Sequence, residues 1–383
     1  MAEKLRAFPL SELRKRKSVK WRFYEKDVLP LPVAEMDFPI AEPIKSALQD
    51  MIDRSDAGYL GPFPELFEAF RNFSNELWSW NPDVSQMRTA TDVGVGVVEV
   101  MRTLIQPGDK VLLNSPIYDN MWRWITEVKA ELIDVPLKRN QLEYSLDLEA
   151  IESAYRTGVK VHLLCSPHNP VGTVFDRESL SKLADLAKHY QVIVISDEIH
   201  APLTFVERKF VPFLSVSDAA REIGITVTSA SKTFNLAGLK CALIITENVA
   251  LKEKINAMPI SVGYRASLFG AVAATSAMSE CSEWLAGVLL TLDENRKLIK
   301  KIIDTRIPSI GYRIPDFGYL AWLDLTALGL GDDPAKVLLE RGKLAVNGGH
   351  MYGPEHSSFI RFNFGTSPEI ITEAFERILQ TNG

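Results

Sequence analysis

Ile225-Thr226-Val227-Thr228, followed by Ser229-Ala230-Ser231-Lys232-Thr233-Phe234-Asn235, decides the reading of this chain. Four consecutive β-branched residues suit a strand buried on both faces, as in a parallel sheet. The strand ends in small and hydroxyl-bearing residues, and the lysine among them falls at the sheet's carboxyl edge, where open α/β sheets bind ligands. An ammonium taken out of water there loses basicity and becomes a nucleophile able to form an imine. A lysine that merely snorkels from a strand end has no need of such a loop.

The same layout recurs upstream. Val111-Leu112-Leu113 runs into Asn114-Ser115-Pro116-Ile117-Tyr118, Val159 to Cys165 into Ser166-Pro167-His168-Asn169-Pro170-Val171-Gly172, and Val192-Ile193-Val194-Ile195 into Ser196-Asp197-Glu198-Ile199-His200. Asn169, Asp197 and Lys232 follow one another at intervals close to the roughly 30 residues of one βαβ step, so one crevice can collect them all. Strand and helix signals alternate from about residue 90 to 245. Asp176 can cap a helix that carries Leu180, Leu183, Leu186, Ala187 and Tyr190 at helical spacing. This is the pattern of an α/β fold with a doubly wound, mostly parallel sheet. Past about residue 285, strand-like Tyr319–Leu325 and Phe359–Phe364 flank a helix that starts near Pro334, which predicts a separate, smaller α+β unit.

At 383 residues the chain exceeds what one core usually organises, so two domains sharing a cleft are expected. Hydrophobic residues at 46% and charged residues at 24% describe an ordinary globular protein. A formal charge of −6 gives no reason to expect a polyanionic partner. The basic run Arg14-Lys15-Arg16-Lys17 therefore reads as a solvated face, and nucleic-acid binding is not expected. Cys165, Cys241 and Cys281 are too few and too scattered for a disulfide framework or a metal site, which fits the cytoplasm and predicts no metal. The N-terminus is charged without an apolar core, and Arg265 breaks the longest weakly polar stretch, so no membrane contact is expected.

Individual residues leave two readings open. Asp197 either caps a helix or, buried at a strand end, faces a cation. Asn169-Pro170 suits a turn, and Tyr118 suits either a core position or the face of a flat ligand. Gly94-Val95-Gly96 opens an apolar helix, Val97 through Leu104, so free N–H groups and the helix dipole can converge on an anion. A dinucleotide fingerprint fails there, because its third glycine falls on Glu99. Arg361, in an otherwise apolar strand, calls for a bidentate anion or a structural salt bridge.

Taken together, Ser-Pro-His-Asn-Pro-Val-Gly (166–172), Ser-Asp-Glu-Ile-His (196–200), Ser-Ala-Ser-Lys-Thr-Phe-Asn-Leu-Ala-Gly-Leu (229–239) and Arg361-Phe362-Asn363 resemble the pyridoxal-phosphate (PLP) enzymes of fold type I, the aspartate-aminotransferase superfamily, over nearly the whole chain. Asp-Glu-Ile-His, Ser-x-Ser-Lys-x-Phe-Asn and Ala34-Glu35-Met36-Asp37-Phe38-Pro39 most resemble its cystathionine β-lyase, or carbon–sulfur β-lyase, branch. The resemblance implies a large PLP-binding domain, 50–285, and a discontinuous small domain, 1–49 with 286–383. It implies that Lys232 holds PLP covalently and, once freed, acts as a base at Cα. Asp197 pairs with the pyridine nitrogen. Asn169 donates to the phenolic oxygen, and His200 stands where many relatives carry a tyrosine to that oxygen. Tyr118 stacks on the ring, and Val95, Gly96, Ser229 and Ser231 hold the phosphate. Arg361 takes the α-carboxylate of an amino-acid substrate, and Asp37 belongs to the substrate site. Tyr59 reaches the phosphate in the neighbouring subunit, which makes a homodimer with shared active sites. Two positions depart from the pattern: Lys240 stands eight residues after Lys232, where many aminotransferases place an arginine, and Arg265 occupies a small-residue position. The implied reaction is α,β-elimination from L-cystathionine or a cysteine S-conjugate, giving a thiol, pyruvate and ammonia. Transamination uses the same core residues and is the alternative, and a PLP-binding protein with a regulatory protein contact is a third reading.

Overall fold

The structure, a computed structural model, describes residues 3–382. Seven strands form the central sheet: β1 (Met87–Ala90), β2 (Lys110–Leu113), β3 (Glu131–Asp134), β4 (Val159–Cys165), β5 (Ile193–Asp197), β6 (Gly224–Thr228) and β7 (Ala242–Thr246). Their spatial order is β1-β7-β6-β5-β4-β2-β3. β7 runs antiparallel to β1 and β6, and the other pairs are parallel. The parallel sense brings the carboxyl ends of β2, β4, β5 and β6 to one edge, where the four segments singled out in the sequence begin.

Successive strand residues alternate between the two faces. Val111, Val161, Leu163, Ile195, Ile225 and Val227 pack with helices α1 (Val93–Leu104) and α2 (Asp119–Glu127), through Val97, Met101, Met121 and Ile125. Leu112, Leu164, Val194 and Leu243 pack on the opposite face with Leu180, Leu183, Ala184 and Ala187 of α3 (Arg177–His189). Asp176 starts α3 by accepting the Ser179 N–H at 2.7 Å, the cap expected from the sequence. The sheet is therefore covered on both faces, which is why its strands read as unbroken apolar runs.

A second, antiparallel sheet contains β8 (Gly311–Tyr312), β9 (Leu320–Asp324), β10 (Asn347–Gly348) and β11 (Phe359–Asn363) in the order β8-β9-β11-β10. Its strands are slightly shorter than the apolar pattern suggests. Leu13, Leu29, Leu31 and Phe38 join Ile360, Phe362 and Phe364 in one core, so the N-terminal stretch packs with the C-terminal unit. Helices α4 (Leu268–Glu280) and α5 (Ser282–Arg306) connect the two units. Ala271 and Ala274 of α4 lie in the core of the large sheet, whereas Ala273 and Ala277 lie in the core of the small one. Among the described residues no helix is long and apolar enough to cross a membrane, and no cluster of His, Cys, Asp and Glu could hold a metal ion.

α4 reaches the site through a close backbone approach. A Cβ on Gly270 would collide with the Leu239 carbonyl and lie 3.1 Å from Cys241 Cβ, in the turn that follows Lys232. Gly270→Ala should therefore cost about 2 kcal/mol, within the usual range for overpacking, and lower the melting temperature by several degrees. An unchanged melting temperature would show that this turn yields freely.

Candidate active site

The strand ends meet at a cleft of about 770 Å³, within the size range of small-molecule sites. Lys232 is delivered to it by local chain geometry. Ser229 closes β6 in an extended conformation, and its Oγ accepts the Ser231 N–H at 3.1 Å, starting the single helical turn Ala230–Thr233. Lys232 Nζ donates to the Ala34 carbonyl at 3.0 Å. Burial, reinforced by the Arg361 charge, lowers its pKa to about 8, with Glu35 and Asp197 opposing.

Asp197 ends β5 directly beside Cys165 of β4. Its carboxylate is buried and accepts the Ile199 N–H at 3.1 Å. Burial raises its pKa to about 6 against that hydrogen bond and the Lys232 charge. A buried carboxylate this poorly compensated favours a cationic partner. His200 stands one turn further on, buried, its pKa lowered to about 3 chiefly by burial, so the ring is neutral. Its Nδ1 has no partner among the described residues.

Arg361, on β11, crosses from the small sheet into this cleft. Its Nη1 donates to Asn169 Oδ1 at 3.2 Å and its Nη2 to the Pro32 carbonyl at 3.1 Å, and the guanidinium lies 5.0 Å from the centre of the Tyr352 ring. Arg361 Nε is buried with no partner among the described residues. An orphaned guanidinium donor marks room for an anion. Asn169 precedes a cis peptide bond to Pro170. Tyr118 lines the cleft edge-on to Trp124, with ring centroids 5.9 Å apart, and its hydroxyl accepts from Asn120 Nδ2.

The wall opposite the sheet is an irregular strap, residues 32–37, held by side chains from both units. Asn363 Nδ2 donates to the Val33 and Glu35 carbonyls at 2.6 and 2.7 Å. The Tyr319 hydroxyl donates to the Ala34 carbonyl at 3.0 Å. Asn235 brackets Met36, accepting its N–H at 2.9 Å and donating to its carbonyl at 2.8 Å. Arg16 and Lys20 donate to the Met36 and Glu35 carbonyls at 3.1 and 3.2 Å, and Lys232 and Arg361 to those of Ala34 and Pro32, so both cleft cations also carry structural hydrogen bonds.

Three expectations need correction. The apolar helix begins at Val93 rather than Val97, because Asp92 caps it: Asp92 Oδ1 accepts the Val95 N–H at 2.9 Å and the Asp92 carbonyl accepts the Gly96 N–H at 2.9 Å. Val95 and Gly96 thus have no free N–H for a phosphate, and a Cβ at position 96 would meet Val227 at 3.3 Å, so that glycine serves helix–sheet contact. The N–H groups left without an acceptor within the helix belong to Val93 and Gly94. Ser229 lines the cleft, but its hydroxyl donates to the Cys241 carbonyl at 2.6 Å. Asp37 does not face the cleft: its carboxylate is buried against Lys20 Nζ at 2.8 Å and Trp21 Nε1 at 3.1 Å, a structural ion pair.

Ser231 lines the cleft. Tyr59 is 79% exposed and stacks on Tyr264 with centroids 5.1 Å apart, outside the cleft of its own chain. Several cleft residues escaped the sequence reading. Trp124, Cys165 and Asn347 carry no local signal that separates them from packing residues, whereas Asp92, directly before an apolar helical run, had a readable N-cap signature.

The arrangement fits PLP. A weakly basic amine, a carboxylate seeking a cation, neutral His200 with Asn169, free N–H groups at the start of α1 and an unfilled guanidinium match that group's aldehyde, ring nitrogen, phenolic oxygen and phosphate, and the carboxylate of an amino acid. The lysine is independently testable. In cofactor-free protein, acylation of Lys232 followed by mass spectrometry should rise with pH about a midpoint near 8, because only the neutral amine reacts, while exposed lysines rise near their ordinary value of about 10.4. A Lys232 midpoint above 10 would refute the desolvated amine.

Comparison with known proteins agrees with this geometry. A cystathionine beta-lyase of Corynebacterium glutamicum is 33% identical over 376 residues, covering 97% of this chain and 98% of that protein. Cystathionine beta-lyase PatB of Bacillus subtilis (strain 168) is 31% identical over 369 residues, covering 94% of this chain and 95% of that protein. The crystal structure of cystalysin from Treponema denticola, which contains a pyridoxal 5'-phosphate cofactor, superposes with a TM-score of 0.93 at 26% identity, covering 100% of this chain and 99% of that one. Residues 26–378 match the family of class I and II aminotransferases, and with a fold type I architecture and near-complete coverage by these relatives the chain belongs to that PLP-dependent family.

Proposed function

We propose that the protein is a PLP-dependent carbon–sulfur β-lyase, acting by α,β-elimination on L-cystathionine or cysteine S-conjugates to give a thiol, pyruvate and ammonia. The observation that carries this reading is the full-length similarity to proteins named cystathionine beta-lyase, at 31% and 33% identity. The cleft supports it by supplying a base, an anion receptor and a carboxylate within one crevice.

Bound PLP supplies the electron sink that makes a Cα–H bond acidic. Lys232 Nζ would hold it covalently, and as a free amine the same group would take the Cα proton of the substrate. Its lowered pKa favours the neutral form this step needs. Arg361 receives the α-carboxylate through its unpartnered Nε and its Nη groups, which orients Cα towards Lys232. Asp197 would pair with the ring nitrogen, its carboxylate favouring the protonated form of that nitrogen. Asn169 and neutral His200 would serve the phenolic oxygen, and Tyr118 would cover the ring. Ser231 and the N–H groups of Val93 and Gly94 would serve the phosphate.

The working unit in this reading is a homodimer, with Tyr59 contributing to the partner's site. Its exposure and its distance from the cleft of its own chain support that assignment. The chain divides into a large domain, 50–285, and a small one, 1–49 with 286–383, which share the cleft. Three free, buried cysteines favour a reducing compartment such as the cytoplasm.

Incubation with S-alkyl cysteine or L-cystathionine tests the reaction. Pyruvate should form catalytically without a keto-acid acceptor, whereas turnover only in the presence of an acceptor would make the protein an aminotransferase. Asp197→Asn should bind PLP and lose roughly a thousandfold in rate, equivalent to about 4 kcal/mol of lost transition-state stabilisation. The shared site has its own test: mixing Tyr59→Phe with Lys232→Ala should create dimers with one intact site and restore activity above either variant alone. No recovery after confirmed subunit exchange would confine Tyr59 to its own subunit.

A further inference from the structure

Asp92 is the cleft group with the wrong sign. Its carboxylate caps α1 at the helix end where the dipole and the N–H groups of Val93 and Gly94 favour an anion. It also lines the cleft. A phosphate monoester arriving there carries between one and two negative charges at neutral pH, so a bare carboxylate beside it is repulsive. Asparagine would cap the helix equally well without that charge.

Lys240 answers the charge. The turn after Lys232 passes through a left-handed residue at Lys240, φ 52° and ψ 71°, whose carbonyl accepts the Ser267 N–H at 2.9 Å. From that turn Lys240 Nζ reaches Asp92 Oδ2 at 3.0 Å. Both side chains are partly exposed, at 53% and 37%, so the pair is solvent-screened and adjustable rather than a buried structural bridge.

We propose that Lys240 governs cofactor affinity at one remove: by neutralising Asp92 it lets the same helix end keep an acidic cap and accept a phosphate. Lys240 is then a positioning residue for charge, acting through Asp92 rather than by its own contact with the phosphate. The inference rests on the cleft being the PLP site, and it is tested by binding rather than by turnover.

The experiment is a double-mutant cycle on the full chain. Wild type, Asp92→Asn, Lys240→Gln and the double variant are stripped of cofactor, checked for intact folding by circular dichroism, and titrated with PLP and, separately, with pyridoxal, which lacks the phosphate. Lys240→Gln should weaken PLP binding by roughly three- to tenfold, the size of one partly screened charge interaction. In the Asp92→Asn background the same change should cost less than about twofold. Asp92→Asn alone should tighten PLP, and any change in pyridoxal affinity, which reports only the effect of Lys240 on the Lys232 amine, should be well below the change for PLP. An equal loss from Lys240→Gln in both backgrounds would mean direct contact with the phosphate and would overturn the proposal. So would an equal loss for pyridoxal, or no loss at all. Failure of the wild type to bind PLP would overturn the cofactor reading beneath it instead.

Discussion

The hydrogen bonds that fix the strap from Pro32 to Asp37 are the constraint on which the site depends. This segment has no ladder of its own, so its backbone groups must find partners elsewhere. They find them in Lys232, Asn235, Tyr319, Arg361 and Asn363, drawn from both units, and in Arg16 and Lys20 of the N-terminal stretch. The side chains that would handle cofactor and substrate are thus the ones that clamp the two units together. Binding and packing are linked here: Lys232 and Arg361 hold the Ala34 and Pro32 carbonyls, so a ligand that takes those donors acts on the wall of its own cleft.

Electrostatics then sets what each group can do. Two cations, Lys232 and Arg361, share a low-dielectric pocket, and burial with mutual repulsion makes the amine the one that yields, at about 8. Asp197 is displaced the other way, to about 6. Such opposed shifts mark groups whose charges are completed by a ligand rather than by the protein. His200, unable to bear charge in its buried position, remains a neutral partner for an oxygen.

Errors in the sequence reading have physical origins. Reading Val97 as the start of the apolar helix leaves the N–H groups of Val95 and Gly96 free, whereas the helix starts at Val93, Asp92 takes both N–H groups and Gly96 is a packing residue, so the free donors lie two residues earlier. Asp37 was drawn into the substrate site by its motif, yet Lys20 and Trp21, remote in the motif's own logic, claim its carboxylate. The Asp92 cap is local and legible in the sequence, whereas the contact of Gly96 with Val227 and the pairing of Asp37 with Lys20 and Trp21 depend on how the chain folds back.

The chain's own order of residues determined the α/β class, the parallel sheet and the placing of Lys232, Asp197, Asn169 and Tyr118 at strand ends. Those features follow from β-branched runs and helix caps, which act over a few residues. Arg361 was also legible, since a charge within an apolar strand signals a partner. Tertiary structure alone decided that Arg361 meets Asn169, that Tyr352 lies beneath its guanidinium and that Lys240 faces Asp92. These pairs join residues far apart in the chain, and their meeting depends on the angle between two sheets, the close approach at Gly270 and a left-handed turn, none of which leaves a periodic trace in sequence.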